Sequence, residues 1–130
     1  MSSQPEPTAV SIARAHVNAW GEHDYDAARA GLAPDVHVVV TSVGPAAPQI
    51  DTTGVEDYIR GLVHFGQGVL PGTTRVNSAA GDDTCALLEV SSRVRFDGNA
   101  PEVTLHAARL YRLDENQKIA DERVIFFVMH

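Results

Sequence analysis

Three side chains have types and positions suited to moving a proton or steadying an oxyanion: His16, Arg109 and Glu122. Residues 103–113 and 120–129 both read as strands rich in β-branched and aromatic residues, joined by the Asp-Glu-Asn-Gln stretch 114–117. A symmetric hairpin turn there pairs Leu113 with Lys118, Arg112 with Ile119 and Arg109 with Glu122. Cross-strand partners share a face, with Cβ atoms about 5 Å apart. Arg109 and Glu122 are thus predicted to form an ion pair beside Ala107, Tyr111, Val124 and Phe126. The opposite face then carries His106, Ala108, Leu110, Arg123, Ile125 and Phe127. His16 belongs to a different element. On a helical wheel at about 100° per residue, Ile12, Ala13, His16, Val17 and Trp20 share one arc. An imidazole can donate, accept or shuttle a proton near neutral pH. A lone histidine on an apolar arc is nonetheless more often a satisfied core residue. An ion pair across a hairpin is commonly structural too, and burying it costs several kcal/mol per ion in desolvation. Charges kept inside a pocket are a mark of functional sites.

The elements that must position these groups can be read along the chain. Residues 1–8 are polar, carry Pro5 and Pro7 and read as a flexible tail; residues 9–130 read as a single domain. Thr8 is placed to cap a helix over 9–20. Asp24 can cap a second helix over 25–32, which Pro34 stops. Val36 to Val43 reads as a strand, 44–54 as a loop, and Thr53 with Glu56 as the capping box of a helix over 54–65. That helix has an apolar stripe of Tyr58, Ile59, Leu62 and Val63. Beyond it the period changes, and 74–80, 84–96, 103–113 and 120–129 read as strands. In the longest of these, Ala86, Leu88, Val90, Ser92, Val94 and Phe96 form a mostly apolar set expected to face the core, whereas the alternate set includes Glu89, Arg93 and Arg95. Helices followed by hairpins indicate an α+β domain with helices on one face of a curved antiparallel sheet.

Composition narrows the function. At 130 residues with 44% hydrophobic content, the chain is long enough for one buried core. A formal net charge of -7, with no basic stripe, argues against a nucleic-acid partner. No run approaches the roughly 18 apolar residues of a membrane span. The start lacks a secretory leader, which points to the cytoplasm. The single Cys85 can form no internal disulfide, and no Cys/His spacing suggests a metal site.

Two stretches carry a family resemblance: His23-Asp24 followed by Leu32-Ala-Pro-Asp35-Val-His-Val38, and Tyr111-Arg-Leu-Asp-Glu-Asn-Gln-Lys-Ile119. With the element order, they resemble the nuclear transport factor 2-like superfamily, which includes SnoaL-like polyketide cyclases and ketosteroid isomerases. The resemblance spans about residues 9 to 129. It implies a cone-shaped barrel of curved, mixed and mostly antiparallel sheet wrapped around three helices from the N-terminal half. It also implies an apolar pocket for a small organic ligand. By resemblance, Arg109 and Glu122 lie on the concave side, and His16 falls where isomerases carry a hydrogen-bonding tyrosine. The pocket wall would then include Trp20, Val40, Tyr58, Leu62, Val90, Ser92, Tyr111, Val124 and Phe126. The departures are equally specific. Val40 occupies the position of the isomerases' general-base aspartate, Arg109 that of their acidic donor, and Val124 that of a SnoaL-like cyclase aspartate. Arg93-Val-Arg95 lacks the acid of the Arg-x-Asp pair in limonene epoxide hydrolases.

Two readings follow. In the first, the protein is an enzyme needing no metal or organic cofactor, a cyclase, isomerase or dehydratase acting on a polycyclic or carbonyl compound. Arg109 would stabilise a developing enolate or alkoxide while Glu122 or His16 moves the proton. In the second, it is a binding or accessory protein that kept the pocket and lost the catalyst. The last strand, apolar from Val124 to Met129 on both faces, predicts a homodimer through the sheet, with Ile125, Phe127 and Met129 at the contact.

Overall fold

The computed structural model describes residues 5–42 and 50–127. Helix α1 spans Thr8–Gly21 and α2 spans Tyr25–Ala30; strand β1 (Leu32–Ser42), β2 (Ile50–Thr53) and helix α3 (Val55–Gly66) follow. Strands β3 (Arg75–Gly81), β4 (Cys85–Val94), β5 (Val103–Leu113) and β6 (Ile119–Phe127) complete the domain. The six strands form one sheet in the order β2-β1-β6-β5-β4-β3. Only β1 and β6 run parallel; the other neighbours are antiparallel. The sheet is open, with β2 and β3 at its edges, and α1 and α3 cover its concave face. The expected α+β cone is therefore present as an open sheet.

Local chemistry accounts for the elements and for several departures. The Asp24 carboxylate accepts from Ala27 N at 3.1 Å and caps α2 as expected, but the helix ends at Ala30 and β1 already begins at Leu32. A register break between Leu32 and His37 absorbs Pro34. Proline lacks a ladder N–H and sits where pairing lapses. Thr8 is the first helical residue and not the cap; its backbone N–H is held by Asp83 Oδ1 at 3.0 Å. The Thr53–Glu56 capping box does not form. Gly54 is the N-cap of α3 with φ 106°, a conformation that glycine adopts without the Cβ penalty. The expected loop also contains β2, whose four residues pair with β1 from His37 to Val40.

The hairpin register is also corrected. Leu113 pairs with Ile119, and beyond an irregularity at Arg112 the partners are Arg112–Asp121, Tyr111–Glu122 and Arg109–Val124. The turn has one more residue than the symmetric reading allowed. Asp114 Oδ1 accepts from the N–H groups of Asn116 and Lys118, and Gln117 takes φ 62°. With the further irregularity, the shift totals two positions from Arg112 onward, so those side chains keep their predicted faces, whereas Ile119, shifted by one, joins Leu113 on the inner face and is buried. Glu122 lies opposite Tyr111, with Arg109 one step away on the diagonal.

The core lies between α1 and the centre of the sheet, where Ala9, Ala13, Val17 and Trp20 meet Ala86, Leu88, Val90 and Tyr111. The set Ala86, Leu88, Val90, Ser92 and Val94 of β4 faces inward as predicted. Phe96 does not; it lies beyond the strand, 61% exposed, against Gly68 and Phe65. No helix among the described residues is long and apolar enough to cross a membrane.

Candidate ligand and proton-transfer site

Three parallel or antiparallel neighbours supply the floor of a cavity. Val38 and Val40 come from β1, Glu122, Val124 and Phe126 from β6, and Arg109 from β5. Helix α3 lays Tyr58, Leu62 and Phe65 over them, a face set by the i, i+4, i+7 spacing of its apolar residues. Ile50 and Thr52 of β2, with Asp57, form the rim. The cavity, open to solvent on one side, has a volume of about 140 Å³.

The charged groups lie at its inner end. Arg109 is 5% exposed and Glu122 3%. Arg109 Nη1 is 3.8 Å from Glu122 Oε2, close enough for Coulomb attraction and too long for a hydrogen bond. The guanidinium is held instead between aromatic rings, its Cζ 4.7 Å from the Trp20 ring centre and 5.8 Å from that of Phe126. Burial works against its charge, but the nearby oxygens of Tyr111, Glu122 and Tyr58 outweigh burial and hold its pKa above the ordinary value. Among the described residues, Arg109 Nε, Glu122 Oε2, Tyr111 Oη and Trp20 Nε1 are buried without a hydrogen-bond partner. Four such atoms around one spot are unusual in a native interior, where buried polar groups are nearly always satisfied.

Glu122 is connected on its other oxygen. Tyr58 Oη lies 2.8 Å from Glu122 Oε1 and 2.8 Å from His16 Nε2. His16 Nδ1 is 3.1 Å from the carbonyl oxygen of Ala28, which can only accept, so Nδ1 carries a proton. Burial pushes the His16 imidazole below its ordinary pKa, with the Glu122 charge opposing. Burial likewise raises the Tyr58 and Tyr111 phenols well above theirs, reinforced by Glu122.

Of the twelve residues named from sequence, Val40, Tyr58, Leu62, Arg109, Glu122, Val124 and Phe126 line the cavity. Trp20 and Tyr111 lie behind the wall, Trp20 against Arg109 and Tyr111 against His16. His16 is set behind Tyr58 and borders a second hollow, with Ile12, Ala27 and Lys118, on the opposite side. Val90 and Ser92 are core residues of β4, with Ser92 Oγ bonded to Thr74 Oγ1 at 2.8 Å. The cavity sits over β1 and β6, so β4 contributes nothing to its lining. Sequence reading missed Phe65, which was legible as Tyr58+7 on the helix, and the rim of β2, hidden in a stretch read as loop. Among the described residues, no cluster of three or more His, Cys, Asp or Glu side chains could hold a metal ion.

Solved structures with this architecture span several chemistries. A protein from Kribbella flavida is 27% identical, with TM-score 0.71 over 92% of this chain and 87% of that one. An epoxide hydrolase of the limonene epoxide hydrolase-like type from M. tuberculosis is 22% identical, with TM-score 0.69 over 95% and 86%. A candidate SnoaL-like polyketide cyclase from Shewanella denitrificans is 16% identical, with TM-score 0.73 over 94% and 92%. No curated protein sequence is significantly similar to the chain. The SnoaL-like domain profile matches residues 13–122, nearly the whole of the ordered framework just described, and the chain belongs to the SnoaL-like domain family of the nuclear transport factor 2-like superfamily.

Proposed function

We propose that the cavity binds a small, largely apolar organic molecule bearing a carbonyl or comparable oxygen, and that the protein is a cofactor-free enzyme of the isomerase, cyclase or dehydratase kind. The observation that carries this reading is the open Arg109–Glu122 arrangement. A donor, Arg109 Nε, and an acceptor, Glu122 Oε2, are left unpartnered beside an apolar cavity. A closed bidentate pair would have consumed both. Arg109 would face the oxygen on which charge develops, and Glu122 would move the proton. A volume near 140 Å³ suits about one ring, since a cavity of roughly 150 Å³ accommodates benzene. A polycyclic ligand would have to extend past Ile50 and Thr52. Cytoplasmic residence fits the single free thiol of Cys85.

Monocyclic enones and hydroxyketones incubated with the protein in D2O test the reading by proton NMR. Exchange α to the carbonyl, lost in Glu122→Gln, is expected. Val40 and Val124, standing where relatives place acids, favour a second reading as a non-catalytic binder. Ligand-line broadening with no exchange by any compound would select that reading, and no broadening would remove both.

We also propose that two copies pair through the outer sheet face. Leu87 and Ile125 are 50% and 47% exposed there, flanked by Leu110 and Phe127; Met129 lies outside the described residues. Sedimentation should give twice the monomer mass, and Ile125→Asp should shift it to monomer.

A further inference from the structure

Tyr58 has one hydroxyl proton and two neighbours, His16 Nε2 and Glu122 Oε1, each at 2.8 Å. Because His16 Nδ1–H is committed to the Ala28 carbonyl, Nε2 is either a bare lone pair or the second N–H of an imidazolium. The four protonation states of the two outer groups can be tried in turn. With Glu122 ionised and His16 neutral, Tyr58 can donate to only one of them, and the other contact sets two lone pairs 2.8 Å apart. With Glu122 protonated on Oε1 and His16 an imidazolium, both neighbours offer a proton to Tyr58 Oη and its own hydroxyl proton has no acceptor; a proton on Oε2 instead would lie unpartnered beside the Arg109 guanidinium, 3.8 Å away. Only two states satisfy both contacts and leave none of these protons without an acceptor. In one, the Glu122 acid donates to Tyr58, which donates to neutral His16. In the other, the His16 imidazolium donates to Tyr58, which donates to the Glu122 carboxylate. Both contain one proton beyond those of Tyr58 and Nδ1, and they differ by two short hops.

We propose that His16, Tyr58 and Glu122 form a relay holding one proton in common, so that Tyr58 is a proton-transferring residue and His16 the reservoir for Glu122. This deepens the acid–base role proposed for Glu122 and rests on that reading for its catalytic meaning. When Glu122 Oε2 accepts a proton from the ligand, Oε1 is relieved of its proton to Tyr58 Oη. The hydroxyl passes its own to His16 Nε2, and the imidazolium remains tied to Ala28. No atom is left over, and no oxidant or reductant takes part. Glu122 remains a neutral acid, its proton now on Oε2 in place of Oε1, and the one positive charge gained appears on a ring that borders the second hollow. The groups facing the relay are His16 and Trp20 from α1, the Ala28 carbonyl from α2 and Tyr58 from α3. Arg109 and Tyr111 face it from β5, and Glu122 from β6.

The test uses the ligand-free protein labelled with ¹³C and ¹⁵N. Side-chain shifts at pH 7 report whether His16 Nε2 and the Glu122 carboxyl carry protons. One proton between the two, on either group, is expected. In Tyr58→Phe that proton should be lost, leaving Glu122 ionised and His16 neutral, each titrating independently. An ionised Glu122 together with a neutral His16 in the unmodified protein would overturn the relay, whether or not the variant folds. An unchanged pair in Tyr58→Phe would also overturn it. Since no ligand is added, this result stands or falls separately from the exchange experiment on enones.

Discussion

The two halves of the concave face are built on opposite terms. Toward β3 and β4, helix α1 lays Ala9, Val10, Ala13 and Val17 on Ala86, Leu88 and Val90, all nearly inaccessible to water. The buried polar residue of β4, Ser92, is answered by Thr74 at 2.8 Å. Toward β5, β6 and β1, the same sheet carries Arg109, Tyr111 and Glu122 at equal depth, each with one polar atom unanswered, and a cavity beside them. Burying an unpaired polar atom costs about 1–3 kcal/mol, so the second half is less stable than an apolar filling would make it. The first half holds the fold, and its surplus stability tolerates the unanswered polar atoms of the second. One fold can host unrelated functions because function resides in the site set on the framework.

The largest test of that division is Leu88→Ala. Leu88 is fully buried in the apolar half. Its removal should cost about 4 kcal/mol in urea unfolding, through lost burial and the cavity left behind, while ligand affinity is unchanged. A variant that loses binding yet keeps its stability would reverse the assignment of the two halves.

Next comes Arg109→Met, which leaves Glu122 buried without its cation and should cost about 3 kcal/mol. Adding Glu122→Leu should restore most of that stability and none of the binding. The double variant thereby separates the energetic burden of the pair from its use. If it bound enones as the unmodified protein does, the pair would be purely structural.

The same division explains what could be read from sequence. Periodicity identified the apolar half residue by residue, because the alternation of β4 and the arc of α1 each point to one face. The arc of α1 put His16 inside, whereas Arg109 and Glu122 were placed there by the family resemblance, a placement that the two-residue slip in the hairpin leaves intact. Periodicity could not give their partners. Whether Glu122 meets Arg109 or Tyr58 depends on the extra turn residue fixed by Gln117 and on the approach of α3, neither of which alternation encodes. Tyr58 could be read as wall but not as the link between two titratable groups, because that role depends on distances across three elements. Strand β2 escaped because four residues, all but Thr52 exposed, beside proline and glycine give no alternation to read.

A smaller effect should appear at alkaline pH. Tyr58 and Tyr111 are raised well above their ordinary pKa, chiefly by burial and then by Glu122. In the unfolded chain a tyrosine ionises near pH 10. Above that pH the unfolded state releases protons that the fold retains, so ΔG of unfolding is fully present below about pH 10 and falls as pH rises beyond it. Tyr111→Phe should make the decline shallower. At pH 7 it should leave stability level or raise it by up to about 1 kcal/mol, because the hydroxyl removed has no partner. A steeper alkaline decline in the variant would contradict the burial of this phenol.

The smallest change expected is that of Ser92→Ala, and it sharpens the contrast from the other side. Ser92 is as deeply buried as Glu122, yet its hydroxyl bonds Thr74 Oγ1, itself half-buried and near the sheet edge. Losing the serine hydroxyl removes one neutral hydrogen bond, while Thr74 can turn to water, so the cost should be about 1 kcal/mol or less. Ligand affinity and proton exchange should be unaffected, because Ser92 lies in the apolar half, outside the cavity lining. Denaturant unfolding and the enone exchange assay, run on one preparation, measure both. A marked loss of exchange in Ser92→Ala would mean that the site reaches across β4, and the boundary between the two halves would have to move to the far edge of the sheet.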